Sequence, residues 1–228
     1  MNVSVVLVGA GLGLRMGGPV KKPFLQLHGK PIFLYTIERF SQIETISEII
    51  FVVGPSEIPI LRDQWHDTLY AHKVKKIVPG GKKRQDSVYN GLCQTGTDAE
   101  IVLIHDIVRP FVRKEHIEAV INKVKESHAA ILAAPMKATV KETGDNLCIR
   151  RTIPRNKLWM AQTPQGFKRE LILKVFDQFK TEEGEFTDDA EMVEKAGYRV
   201  EIVPGTDDNI KITSPEDMRL AGALLING

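Results

Sequence analysis

Short apolar runs alternate with stretches of helical spacing over most of the chain. Residues 3–8 (VSVVLV) form a run without polar alternation, the pattern of a strand buried on both faces. A glycine-rich stretch follows. Residues 31–40 (PIFLYTIERF) then place Ile32, Tyr35, Ile37 and Phe40 roughly on one helical face, with proline in the first turn. Residues 48–53 (EIIFVV) predict a second strand and 74–78 (VKKIV) a third, ended by Pro79-Gly80-Gly81. Residues 100–106 (EIVLIHD) predict a fourth and 129–135 (AAILAAP) a fifth. QDSVYNGL (85–92) and residues 114–126 read as helices between them. β-Branched strands separated by helices call for a mostly parallel sheet with helices on both faces.

The rhythm breaks after Pro135. Residues 136–156 (MKATVKETGDNLCIRRTIPRN) are polar, with short alternating flanks around a turn near Gly144, and predict a β-hairpin. Such a hairpin is marginal alone. It leans either on a second subunit, the simpler candidate, or on its own subunit's surface. The α/β pattern resumes near Arg169. Ser214 as N-cap, Pro215 at the first helical position and Glu216 and Asp217 behind it start a final helix. The expected organisation is one domain over 1–228, with 136–156 as a protruding arm.

Composition narrows the function classes. The chain has 228 residues, 43% hydrophobic and 26% charged, enough for a full core. The net charge of +2 gives no global field for nucleic acid or membrane. The lysine pairs are scattered and lack aromatic partners, so no nucleic-acid surface is expected. Cys93 and Cys148 have no metal-type spacing and read as small buried hydrophobes. Histidine spacing offers no zinc site. With no basic leader and no run of about eighteen apolar residues, a cytoplasmic location is expected.

GAGLGLRMGGPVKKPF, Gly9 to Phe24, holds five glycines, an arginine and a lysine pair. A dinucleotide fingerprint wants G-x-G-x-x-G and an acid at the end of the second strand. Here Leu14 stands at the third glycine, and the second strand ends Val53-Gly54-Pro55 without a carboxylate. No P-loop can be traced. The remaining reading is a nucleoside triphosphate loop, in which glycine backbone donors converge on phosphate oxygens and Arg15 and Lys22 offset charge. Solvated cations beside a structural turn are the plain alternative.

Residues after the other strands should converge on the same crevice, because ligands of such sheets sit beyond the carboxyl ends of the strands. Gly80-Gly81 open a helix N-terminus, and Ser87 either caps that helix or meets a base. Asp106 ends the fourth strand, suited to Mg²⁺ with phosphates, and Arg109 follows three residues on. The plain reading of that pair is an ion pair across a turn. Asp208 and Lys211 offer a second carboxylate and another lysine. Thr163-Pro164-Gln165 and Thr187-Asp188-Asp189 alone read as a turn or a helix cap.

Taken in order, GAGLGLRM…KKPF, GGKKRQDSV, LIHDIVRP, RNKLWMAQTPQ, TDDA and DNIKIT resemble the 2-C-methyl-D-erythritol 4-phosphate cytidylyltransferases of the non-mevalonate isoprenoid pathway. The resemblance runs from Val3 to the last helix. It implies a Rossmann-like α/β fold of the nucleotide-diphospho-sugar transferase type. It implies transfer of CMP from CTP to methylerythritol phosphate, with Mg²⁺, in a homodimer whose arms cross to the partner subunit. By position it assigns Arg15, Lys22 and Lys211 to catalysis, and Gly9, Ala10, Gly11, Gly13, Gly81, Ser87 and Asp106 to the nucleotide. Arg109, Thr139, Arg155, Thr163 and Thr187 fall to the sugar phosphate, and Asp106 and Asp208 to the metal. The chain departs from the common pattern at Gly9, where alanine is usual, and at Ile107-Val108, where two alanines are. Lys82 and Pro154 replace residues that are often acidic. A cytidylyltransferase for another polyol phosphate, such as ribitol 5-phosphate, is the nearest alternative. An NAD-dependent dehydrogenase and a nucleotide sensor without turnover are more distant ones.

Overall fold

The computed structural model describes residues 1–11, 21–180, 182 and 184–227. In chain order its elements are β1 (Asn2–Val8), β2 (Gln26–Leu27), β3 (Lys30–Pro31), α1 (Ile32–Ser41), β4 (Ile46–Val53), α2 (Ile58–Gln64), α3 (His66–Ala71), β5 (Val74–Pro79) and α4 (Arg84–Leu92). There follow β6 (Ala99–Asp106), α5 (Lys114–Ser127), β7 (Ala129–Pro135), β8 (Val140–Thr143), β9 (Ile149–Ile153) and β10 (Trp159–Lys168). The chain closes with α6 (Arg169–Gln178), α7 (Asp189–Lys195), β11 (Glu201–Pro204) and α8 (Pro215–Asn227). The five strands read from the sequence all form, within two residues of the expected ends.

Among the described residues, seven strands join in one sheet in the order β11-β7-β10-β6-β1-β4-β5. β1 pairs in parallel with β4 and β6, and β4 with β5. The strands lack polar alternation because both faces are covered. Val3, Val5 and Leu7 of β1 pack with Phe33 and Phe40 of α1 and Ile117 of α5 on one face. Val6, between them, faces the other side with Val88 of α4 and Ile172 and Phe176 of α6. Period-two burial on two apolar faces reads as a continuous apolar run.

Two expectations about the elements change. Pro31 lies in β3 and caps α1 rather than opening its first turn. The α/β pattern does not wait for Arg169, since β10 runs antiparallel between β6 and β7. Pro164 argues against a central strand, because proline removes a ladder donor. The structure accommodates it where the register with β7 shifts, between Ala161 and Gln165. The polar side chains there bond to other segments: Gln162 donates to Thr206 O at 2.9 Å and Gln165 to Asp188 at 2.9 Å.

The hairpin expected in 136–156 forms from β8 and β9, closed at Gly144, whose N–H donates to Cys148 O at 3.1 Å. Cys93 and Cys148 are exposed, not buried: Cys93 ends α4 on its solvent side and Cys148 lies at the hairpin turn. No helix among the described residues is long and apolar enough to cross a membrane.

Candidate active site

The sheet order reverses at β1. From there β4 and β5 run to one side and β6 to the other, so the switch point lies between β1 and β6. Parallel pairing sets Val8 beside Asp106. The glycine loop and the acidic strand end therefore meet by register. A crevice of about 780 Å³ opens there, lined by Gly9–Gly11, Lys21, Lys22, Gly80–Arg84, Asp106–Val108 and Lys211–Thr213. Gly80 has no room for a side chain: a β-carbon would overlap that of Ala10 and press on Ser87 Oγ at 2.9 Å. The two glycine turns thus pack directly on one another.

Asp106 is the charged centre. It is buried, with Lys211 Nζ at 2.7 Å, Arg84 Nε at 3.4 Å and Arg109 Nε at 3.8 Å. Burial pushes its carboxyl up, but Arg84, Lys211 and Arg109 overcome that and hold it well below the usual carboxylate range. Arg84 reaches it from the start of α4 and is held on its other side by the buried Asp189 of α7, at 2.9 Å. Lys211 comes from an irregular segment before α8. That segment is stapled to the end of β6, where Arg109 donates to Asn209 O at 2.8 Å and Ile212 N–H donates to Val108 O at 2.9 Å.

His105 and Thr163 hold Asp106 from behind. The Thr163 hydroxyl accepts from Asp106 N–H at 3.1 Å and lies 3.0 Å from His105 Nδ1. Its proton is therefore free to be donated to Nδ1. Nε2, 3.1 Å from Arg109 O, then carries the ring proton and donates it. The imidazole is fully buried against Phe40, with ring centres 4.7 Å apart. Burial, above all, lowers its pKa from 6.5 to about 3.

Not every expected residue reaches the crevice. Gly9, Ala10, Gly11, Gly81, Lys22, Asp106 and Lys211 line it. Gly13 and Arg15 lie outside the described residues. Ser87 is buried behind it, accepting from Gly81 N–H at 3.0 Å, so it shapes the glycine turn instead of capping α4. Asp208 does not join Asp106: its carboxylate binds Arg113 and Thr206. Arg109 makes the ion pair and backbone bond given above, and Thr163 is buried in its own bonds. Thr187 bonds to Glu191 at 2.8 Å within a turn that Asp188 caps, as the helix-cap reading expects. Thr139 and Arg155 are exposed at the base of the arm, where Arg155 donates to Lys137 O.

Arg84 and Asp189 were not singled out in the sequence. The available signals were the three cations after Gly81 and the second acid of TDDA, with Asp188 as cap. No group of three or more acids, histidines or cysteines that would hold a metal occurs among the described residues. The donor set is one anionic carboxylate at a crevice rimmed by lysines. That fits a divalent ion arriving with phosphate ligands better than one caged by protein, since Mg²⁺ commonly takes one or two carboxylates plus phosphates.

A parallel-sheet switch point, glycine turns without side chains and cations gathered on one strand-end acid define a nucleotidyltransferase. A family model for 2-C-methyl-D-erythritol 4-phosphate cytidylyltransferase matches residues 3–227, and the chain belongs to that family. Enzymes of that name from Alkaliphilus oremlandii and Desulforamulus reducens are 43% and 42% identical over 224 residues each. These alignments take in 98% of this chain and 95% and 96% of theirs. The crystal structure of 4-diphosphocytidyl-2C-methyl-D-erythritol synthase from Anaerococcus prevotii superposes with a TM-score of 0.87 at 31% identity. It covers 99% of this chain and 96% of that one.

The His105 environment has a pH signature. Its folded pKa lies below its ordinary value, so the unfolded chain binds the extra proton first. The stability it contributes is complete above about pH 6.5 and is lost as pH falls towards 3. Urea denaturation should show a slope of up to about 1.4 kcal/mol per pH unit from this group, absent in His105→Asn. Equal slopes for the two proteins between pH 6.5 and 4.5 would contradict the assignment.

Proposed function

We propose that the protein transfers CMP from CTP to 2-C-methyl-D-erythritol 4-phosphate, giving 4-diphosphocytidyl-2-C-methyl-D-erythritol and pyrophosphate. The observation that carries this reading is the convergence of Lys22, Lys211 and the Gly9–Gly11 backbone on the crevice at Asp106. A phosphate oxygen of the acceptor forms the new bond to the α-phosphorus in line. The bond from that phosphorus to the β-bridging oxygen breaks, and pyrophosphate leaves with the electron pair. The attacking phosphate is already ionised, so no strong base is needed, and catalysis is positioning and charge stabilisation.

The backbone N–H groups of Ala10 and Gly11 receive phosphate oxygens, while those of Gly9, Gly80 and Gly81 donate to Val52 O, Val53 O and Ser87 Oγ and fix the two turns in place. Lys22 and Lys211 offset charge growing at the α-phosphorus. In the free protein Lys211 is held 2.7 Å from the Asp106 carboxylate, at the crevice where it would meet the nucleotide. Asp106 would hold Mg²⁺, which supplies Lewis-acid neutralisation of the phosphate oxygens when bound. Asp208 is left out of that site because Arg113 engages it. Arg15 is assigned, by its place in the loop, to the departing pyrophosphate.

The acceptor site is shared between two subunits. The arm carries Leu147 and Ile149 at 83% and 62% exposure, apolar surface that a partner would bury. Thr139 and Arg155 at its base do not line their own crevice, so they serve the partner's. Thr187, bonded to Glu191 outside the crevice, is assigned to the sugar-phosphate side by the resemblance alone.

Pyrophosphate release from CTP and Mg²⁺ should be fast with methylerythritol phosphate and slow with ribitol 5-phosphate. The reverse order would transfer the reading to another polyol phosphate, and release with neither would overturn it. Lys22→Ala and Lys211→Ala should each lose roughly 10²–10³ in kcat while folded, the usual cost of one transition-state contact. Near-normal turnover would remove either lysine from catalysis. Mixing Lys211→Ala with Arg155→Ala subunits should restore turnover above that of either alone, because each mixed dimer holds one intact site. No gain on mixing would return the arm to its own subunit.

A further inference from the structure

Gly9 is the first residue of the nucleotide loop, and its hydrogen-bonded backbone and the packing around it limit what can stand there. Its N–H donates to Val52 O at 2.7 Å, so its backbone is anchored to β4. A β-carbon on it would lie 3.0 Å from Ile107 Cγ2, 3.4 Å from Pro23 Cγ and 3.4 Å from Val52 O. The first of these distances is too short for ordinary packing, so something has to move.

Ile107 is the part least able to move. It is fully buried in the core under α1. Its N–H donates to Val8 O at 3.1 Å, and its carbonyl accepts the Thr36 hydroxyl at 2.6 Å. A β-branched side chain is also stiff about its first torsion. Pro23 follows Lys22 in a short helical turn, and Asp106 directly precedes Ile107. The Cγ2 methyl and Pro23 thus close on the same space beside Gly9, and Ile107 directly follows the strand end that carries Asp106.

We propose that Ile107 is a positioning residue for the nucleotide, its Cγ2 methyl filling the space under Gly9 and setting the height of the loop backbone above Asp106. Glycine at position 9 is then required by the branched residue at 107. A side chain on residue 9 displaces the loop and, through Pro23, the approach of Lys22, while removing the γ-branch at 107 makes room for it. The inference rests on the CTP reading above.

The test is CTP affinity by calorimetry, with thermal unfolding measured alongside. Gly9→Ala should weaken CTP binding about 3- to 10-fold, since small displacements of positioned groups are costly. Adding Ile107→Ala should bring affinity back to within about threefold of the original protein. Adding Ile107→Val, which keeps the γ-branch, should leave Gly9→Ala as weak as before. If the Ile107→Ala double variant fails to fold, Ile107→Leu takes its place, keeping the volume with one γ-carbon. A general core role for Ile107 moves the unfolding temperature in all these variants and does not separate alanine from valine. Gly9→Ala binding CTP normally, or both double variants behaving alike, overturns the proposal. No CTP binding by the unaltered protein would instead defeat the reading on which it rests.

Discussion

A buried carboxylate at the end of a central strand has to be balanced, and much of this site is arranged around that need. Taking one ionised carboxylate from water costs several kcal/mol even after relaxation. Asp106 meets the cost with Lys211, Arg84 and Arg109, and with its own N–H fixed by Thr163. Those partners come from the segment before α8, from α4, from the turn after β6 and from β10. One charge therefore ties its own turn to three places distant in the chain. The same balance keeps Lys211 and Arg84 at the crevice, where Asp106 holds them.

The second layer of support is polar and equally distributed. Arg84 is clamped by Asp189, and Asp188 beside it caps α7 and accepts from Gln165. Gln165 in turn accepts the N–H of Ala190 at 3.0 Å. The motifs around Thr163 and Thr187 are thus bonded to one another across β10 and α7. Their conspicuous polar residues serve chiefly to brace the site, since a buried polar group without a partner costs about 1–3 kcal/mol. Arg155 and Thr139 stand apart from this network, exposed at the root of the arm.

Legibility in the sequence follows the range of the cause. The strands 3–8, 48–53 and 129–135 were visible because burial on both faces leaves only apolar residues. The hairpin around Gly144 was visible because alternation and a turn are local. β10 was hidden, since Pro164 and three neighbouring polar residues contradict strand rules, and only partners supplied by Thr206, Asp188 and His105 permit them there. Ser87 looked like a cap or a base contact, and Asp208 like a metal ligand. In the folded chain Ser87 bonds to Gly81 and Asp208 pairs with Arg113, neighbours whose proximity no spacing along the chain reveals.

The sequence by itself determined the fold class, the order of the strands along the chain and the residues that end them. Periodicity, proline and glycine act within a few residues, and the strand ends of a parallel sheet collect on one side whatever the strand order. Only the tertiary structure decided which ends meet. The pairing of Val8 with Asp106, the clamp of Arg84 between Asp106 and Asp189 and the packing of Ile107 against Gly9 all join residues from separate elements, 22 apart in the chain for Arg84 with Asp106 and 105 apart for Arg84 with Asp189. Such contacts are set by sheet order, register and close packing of the folded chain. A side chain's task here depends on the charge or methyl group placed opposite it.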